Sequence, residues 1–549
     1  MKHRAVKRRT VLMGIGATAG VAAAGGLALN AQASGGGTDD TNGSGTLVFD
    51  RDDYTELTTT IGADDGAKKV TYHFYKAITY VTRPVNPDYQ SLVVSVPVEI
   101  DGKAVDATAA PIVFANAVGG YFPASVADAA GVGEATMEMG GVGGPPGAGA
   151  PGATPSGGAG AGAEAGTGDV ESGGNSMLDG MGKMVSLPKL ALAAGYVVVE
   201  PGCRGRSLTD AGGTYYGTAP AAIVDLKAAV RYVRSNKGRI PGNTDRIVST
   251  GTSAGGALSA LLGASGNSPL YAGYLKEAGA AEASDAVFAS GDWCPIADLE
   301  HADGAYEWNW GTSVTQSTGK QVDQAVSAEL RSRFAEYQAG LKLRGIGRFG
   351  ALTARNYDQY LLQTYLQPAA TTYLTRLSAS DRAAYLARNT FITWKDNRAA
   401  FTWEDYLAHV GARKKTIPAF DAFDLSAGEN NEFGQGVTQA RHFTRYSLKN
   451  DSTGISSKRL DSDIPEKLKL MNPMYHIEQK NPGRSKHWWI RVGTTDSDTS
   501  LTVVGNLAAG LDNLGDDVNS LMYWDEGHGA NTDAADFLTW IAEVTGHRK

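Results

Sequence analysis

The chain has 549 residues, 42% hydrophobic and 20% charged, enough apolar material for one large core with insertions or for two domains. The formal net charge is -8 and no long Lys/Arg run lies beyond the N-terminus, which argues against a nucleic-acid partner. With only 2 cysteines, no spacing suits a metal site, and neither a metal nor a cofactor is expected.

The first residues read as an address. Lys7-Arg8-Arg9-Thr10 places a twin arginine before a Gly/Ala-rich apolar stretch, and Ala31-Gln32-Ala33 supplies the small residues a signal peptidase accepts. A transmembrane anchor is the competing reading, because the stretch is almost long enough to span a bilayer. Its glycines and alanines make it weakly apolar, however. Residues 1–33 are therefore expected to be a twin-arginine signal peptide. The mature protein would be extracellular or in the cell envelope, with no stable membrane partner. Val11 departs from the usual signal, which has phenylalanine there. Residues 34–46 follow as a polar, Gly-rich linker.

Residues 47–100 are β-rich, with β-branched and aromatic runs at 69–75 and 91–98. Pro111-Ile112-Val113-Phe114-Ala115 is a short continuous apolar run of the kind buried in a parallel sheet, and Asn116-Ala117-Val118-Gly119-Gly120-Tyr121 is the loop after it. Residues 131–180 are built from Gly, Ala, Pro and Ser. Such a segment cannot bury enough apolar surface to offset its ordering entropy, so a disordered insertion is expected. Strands and helices then alternate: strand 196–199, helix 220–235, strand 246–250, a helix opening at 257 and strand 287–290. Residues 295–484 change to a long, charged, helical block. Strands return at 487–492 and 518–524, each followed by a helix, 501–514 and 534–544. The pattern predicts an α/β protein with a doubly wound, mostly parallel sheet. Its core would come in two parts, 47–294 and 485–549, separated by a large helical lid.

Gly251-Thr252-Ser253-Ala254-Gly255 fits G-x-S-x-G between a predicted strand and a predicted helix. A serine on such a strained turn needs small neighbours two residues either side, and the helix beneath it favours developing negative charge. Ser253 is thus the expected nucleophile. The acid and histidine should follow in that order at the ends of later strands. Asp496 and His528 occupy those places, with Asp498 as the rival acid. Ala254, by its position after the nucleophile, and Gly119 and Gly120, in the early loop, are the expected oxyanion-hole donors. Gly345-Ile346-Gly347-Arg348-Phe349-Gly350 matches the dinucleotide fingerprint G-x-G-x-x-G. No strand precedes it and no βαβ unit surrounds it, so that reading is set aside. Cys203 and Cys294 each follow a predicted strand and would share one edge of the sheet. A disulfide bracing the loops near Ser253 is the expectation, with two buried thiols as the alternative.

With these residues in place, the chain resembles the bacterial tannases of the α/β-hydrolase superfamily, which cleave gallate esters. The resemblance rests on residues 116–122, Gly202-Cys203-Arg204-Gly205-Arg206, residues 220–232 and 251–261, Pro418-Ala419-Phe420-Asp421, Glu429-Asn430-Asn431-Glu432-Phe433-Gly434, residues 493–498 and Gly527-His528. It implies that Lys415, Glu429 and Asp498 bind the gallate ring, with Lys414 one position from the lysine. The fungal tannases and feruloyl esterases carry cysteines beside the serine and histidine. Here Thr252 and Gly527 stand in those places, so that branch is excluded. The expected partner is a small-molecule aromatic ester. A feruloyl or general carboxylesterase is the rival enzyme, and a non-catalytic binding protein of the same fold is the rival from another class.

Overall fold

Two runs of apolar residues set the middle of the molecule. Pro111–Ala115 and Val197–Pro201 are buried at every position, which a strand attains only when helices cover both its faces. The computed structural model describes residues 47–62, 66–137 and 185–547. The expected signal peptide, the expected linker and residues 138–180 of the expected insertion lie outside them.

In chain order the main strands are β1 (Thr55–Ile61), β2 (Lys68–Thr79), β3 (Ser91–Ile100), β4 (Pro111–Ala115), β5 (Val197–Pro201), β6 (Asn243–Thr252), β7 (Ala289–Trp293), β8 (His487–Gly493) and β9 (Asp517–Tyr523). Across the sheet they run β1-β2-β3-β5-β4-β6-β7-β8-β9, with the short strand Lys103–Ala104 added on β3. The strands from β5 to β9 are mutually parallel, and β1 to β3 form an antiparallel extension. The pleat sorts the side chains. Ile112, Phe114, Val197 and Ile247 join residues of α2 (Ala221–Ser235) and α3 (Ala254–Ala264) in one core. Val113, Val198, Val248 and Ala289 join α1 (Leu187–Ala193) and the helix Ala534–Thr545 in another. The sheet is therefore doubly wound. The chain leaves β4 toward β5 on one side and returns to β6 on the other, so the order reverses at β4. Ligands in such sheets bind beyond the strand ends at that switch point.

Two differences from the expected elements have physical causes. Strand β7 runs on through Gly291 and Asp292, whose composition concealed it; Asp292 is fully buried. The second concerns the Gly-rich insertion, which does not begin at residue 131. Val132 is 2% exposed in the core, and its N–H donates to the Tyr72 hydroxyl at 3.2 Å. Thr136–Met137 pairs with Ala124–Ser125, and the Gly133 N–H donates to Glu200 Oε2 at 2.9 Å. Backbone pairing and one valine order this stretch, and composition registers neither.

The predicted lid, residues 295–484, enters between the adjacent strands β7 and β8. It combines helices with long irregular stretches, such as residues 411–427 and 450–463, and with small hairpins such as Arg344–Gly345 with Gly350–Ala351. That hairpin carries the G-x-G-x-x-G run, with Gly347 and Gly350 at φ 71 and 102, so the glycines serve a turn. Lid residues Tyr357, Tyr360 and Leu366 share a core with Trp488, Ile490 and Leu501, and Thr46–Lys549 forms one compact unit.

Asp292 gives the fold a pH signature. Its Oδ1 accepts from Ser290 Oγ at 2.6 Å, its Oδ2 has no partner among the described residues, and burial pushes its pKa up to about 8. Between the ordinary aspartate value and that one, the folded protein holds a proton the unfolded chain has released. Stability contributed at low pH is therefore lost as pH rises through this window. Glu200 and Asp303, both raised by burial to about 7, act in the same sense. Asp292→Asn should flatten the fall in melting temperature between about pH 5 and pH 8. An unchanged slope in a pH series of thermal melts would reject this account.

Candidate active site

The end of β6 and the start of α3 meet at Ser253, whose φ of 62 and ψ of -122 make the strained turn that the pentapeptide predicts. Its N–H donates to Trp293 O at 2.9 Å, and its carbonyl accepts from Ala257 N and Ile296 N. Gly255 is forced by crowding: a Cβ there would stand 2.6 Å from Asn116 Oδ1 and 2.7 Å from Val118 O. Asn116 ties the early loop to the elbow, its Nδ2 donating to Thr250 O and Gly255 O at 3.0 and 3.1 Å. Gly119, Gly120 and Ala254 all line the cleft that holds Ser253. Ala254 opens α3, so its N–H has no helical acceptor.

His528 and Asp496 come together as expected. His528 Nδ1 bonds Asp496 Oδ2 at 2.8 Å, and Asp496 Oδ1 accepts the Asp498 N–H at 2.9 Å. Burial pulls the His528 pKa down. The Asp496 charge, the neighbouring Cys294 sulfur and the hydrogen bonds to both outweigh that pull and raise it. His528 lines the same cleft as Ser253, and the contact of its Nε2 is with Cys294 Sγ at 3.9 Å. Cys294, Asp496 and His528 offer ligand atoms within 4.8 Å of one another. The imidazole spans the other two, bonded to the carboxylate and touching the thiol, which suits holding a proton.

The expected disulfide is absent: Cys203 and Cys294 are both free and buried. Cys203 follows β5 and Cys294 follows β7, with β4 and β6 between them. Strand spacing then separates them by roughly 14 Å, about twice the Cα distance a disulfide tolerates. Sharing one edge of the sheet did not make them neighbours.

The charged residues meet at the cleft from distant segments. Lys414 Nζ lies 2.8 Å from Asp498 Oδ2, and Lys415 Nζ lies 3.7 Å from Glu429 Oε1. Both lysines line the cleft. The turn that carries them is set by Arg413, fully buried and paired through its two terminal guanidinium nitrogens with Glu307, and donating to Lys415 O and Thr416 O. Glu429 sits on the helix Gly428–Glu432, which Asn430 fixes by donating to Asp421 Oδ1 at 2.7 Å. The lid also holds the acid loop: Tyr306 OH donates to Ser497 O, Trp310 Nε1 to Thr499 O and Tyr406 OH to Thr494 O, at 2.7, 2.8 and 2.6 Å.

Sequence reasoning gave no role to Arg206 beyond its place in a matching stretch. Its Nε donates to Gly120 O at 2.7 Å and its Nη1 to Asn431 Oδ1 at 2.9 Å, and its guanidinium lies over the Phe122 ring. It thereby links the Gly-Gly loop to the helix carrying Glu429. Glu200 and Met137, also lining the cleft, were missed as well.

The BD-FAE family model matches residues 174–334. The esterase LipQ of Mycobacterium tuberculosis is 38% identical over 90 residues, covering 16% of this chain and only 20% of LipQ. Among solved structures, a tannin acyl hydrolase from Lactobacillus plantarum is 30% identical with a TM-score of 0.71, covering 91% of this chain and 99% of that one. A tannase from Fusobacterium nucleatum is 34% identical with a TM-score of 0.70 and the same coverage. The chain belongs to the tannase family. As a tannase-family protein it is a carboxylic ester hydrolase, with the mostly parallel sheet and flanking helices of its relatives. A tannin acyl hydrolase solved with ethyl gallate, 30% identical, has a TM-score of 0.71 over 91% of this chain and 99% of that one.

Proposed function

We propose that the protein is an exported esterase that hydrolyses galloyl esters, with Ser253, His528 and Asp496 as its catalytic residues. The observation that carries the reading is the charged edge of the cleft. Lys414, Lys415, Glu429 and Asp498 line the same cavity as Ser253 and His528. A galloyl ring presents adjacent phenolic hydroxyls opposite its ester carbonyl. Carboxylates accept from such hydroxyls and ammonium groups donate to them.

In the first half-reaction Ser253 Oγ attacks the ester carbonyl carbon and passes its proton to His528 Nε2. The Asp496 carboxylate stabilises the imidazolium through Nδ1. The N–H of Ala254 and those of the Gly119–Gly120 loop receive the oxyanion. His528 then gives its proton to the departing alkoxide, which leaves as the alcohol, with the acyl group on Ser253. Water, deprotonated by the same histidine, attacks the acyl-enzyme and releases the acid and free serine. In unliganded enzymes the bond between nucleophile and base is often long and tightens with substrate.

Wild-type enzyme should favour methyl gallate over methyl benzoate by about 10² or more in kcat/KM, because benzoate has no hydroxyls to bond to the Lys414–Asp498 and Lys415–Glu429 pairs. Equal rates on the two would end the galloyl reading and leave the esterase standing. Export rests on the twin arginine and the Ala-x-Ala site. The protein recovered outside the cytoplasm should begin at Ser34, which N-terminal sequencing checks.

A further inference from the structure

Gly493 ends β8 and leads into the acid loop, and a Cβ on it would collide with Glu526 O and Gly527 O. The loops bearing Asp496 and His528 are therefore pressed backbone to backbone. Thr494 N–H donates to Tyr523 O at 2.8 Å, and Thr495 N–H to Glu526 O at 3.0 Å. Asp525 stands at the head of the histidine loop, three positions before His528, with a left-handed φ of 59. A non-glycine residue keeps such a conformation only where its surroundings fix it. Here they do. Its N–H donates to Thr494 Oγ1 at 3.0 Å, which ties it to the acid loop. Its carboxylate is engaged at both oxygens by the inserted block. His409 Nε2, on the helix Trp403–Val410, lies 2.6 Å from Oδ1, and Tyr385 OH, on the helix Ala379–Arg388, donates to Oδ2. Both partners are themselves fixed. The His409 ring stacks on Trp524, with centroids 5.4 Å apart and planes 2° from parallel, and Trp524 Nε1 donates to Tyr385 OH at 2.7 Å.

None of Asp525, His409 and Tyr385 is among the described residues lining the cleft, so the cluster lies behind the site rather than in it. We infer that Asp525 is a positioning residue for the base: clamped by His409 and Tyr385, it sets the turn from which His528 reaches Ser253. The inference rests on His528 being that base. The inserted block thus holds the two loops through separate bonds, the acid loop at Thr494, Ser497 and Thr499 and the histidine loop at Asp525. Only Glu526 and Gly527 separate the clamp from His528, so a loosened Asp525 is felt at the imidazole. A displacement of about 1 Å there is enough to cost up to about a hundredfold in rate.

Asp525→Gly is the direct test, because glycine takes the left-handed φ without strain and loses the carboxylate. Assayed well below its melting temperature, it should lower kcat by about tenfold or more on methyl gallate and on a short alkyl ester alike, with KM for each within about twofold of wild type. Labelling of Ser253 by a fluorophosphonate should slow in step. From the other side, His409→Phe keeps a ring on Trp524 but has no nitrogen for Asp525, and should lower kcat by about threefold or more. His409→Gln, whose amide can donate to Oδ1, should restore kcat to within about twofold of wild type. Wild-type kcat in Asp525→Gly, a loss confined to one ester or to KM, or equal rates for the two His409 variants overturns the assignment. His528→Ala keeps the two readings apart. It silences the enzyme if His528 is the base, whatever Asp525 does, and an active His528→Ala would fail the base itself.

Discussion

Ser253→Ala should lower kcat by about 10⁶ on galloyl and simple alkyl esters alike, the loss seen when a serine hydrolase is deprived of its nucleophile. Thermal unfolding should barely change. The backbone bonds of Ser253 to Trp293, Ala257 and Ile296 hold the elbow, and alanine keeps them. Alanine also inherits the positive φ, a strain common to both residues, so the comparison isolates the hydroxyl. A fluorophosphonate should label Ser253 in the wild type and nothing in the variant. Ordinary activity in the variant, or labelling at another serine, would remove Ser253 from the mechanism.

Asp496→Asn should cost about 10⁴ in kcat on every ester, because an amide at that place no longer selects the productive tautomer or balances the imidazolium. A pH readout separates this from a packing defect. The Asp496 charge holds the His528 pKa up, so its removal should move the acid limb of the remaining kcat/KM profile to lower pH. Asp498→Asn, two residues on, should behave differently. It weakens a group paired with Lys414 at the galloyl edge and should cost about tenfold on methyl gallate with little change on a short alkyl ester. If Asp498→Asn proved the more damaging on both substrates, the two aspartates would exchange roles.

What was legible in the sequence was local. The elbow needs small residues at fixed offsets and a strand before it, so Ser253 showed itself within five positions. The buried strands β4 and β5 declared themselves by unbroken apolar runs, and Asp496 and His528 by lying just past strand ends. What stayed hidden was decided across long separations. Nothing near Cys294 marks it as the contact of His528 Nε2, 234 residues away. Arg206 looks like a surface arginine until Gly120 and Asn431 are brought to it, and Glu200 looks like the end of a strand until the backbone at Gly133 arrives. The disulfide expectation failed for the same reason. It used the edge on which each cysteine lies but not the strand order, which only the folded sheet supplies.

The bonds from Tyr306, Trp310 and Tyr406 to the carbonyls around Asp496 bear on how this enzyme can change over time. A cover that merely opens and shuts can be exchanged for another, and related enzymes can diverge by swapping it whole. Here the inserted block is scaffolding for the loop that carries Asp496, so a wholesale exchange would unseat that loop as well. New preferences are accessible mainly through single side chains at the lysine turn and at the helix bearing Glu429. The lineage is thereby confined to small steps in the esters it accepts.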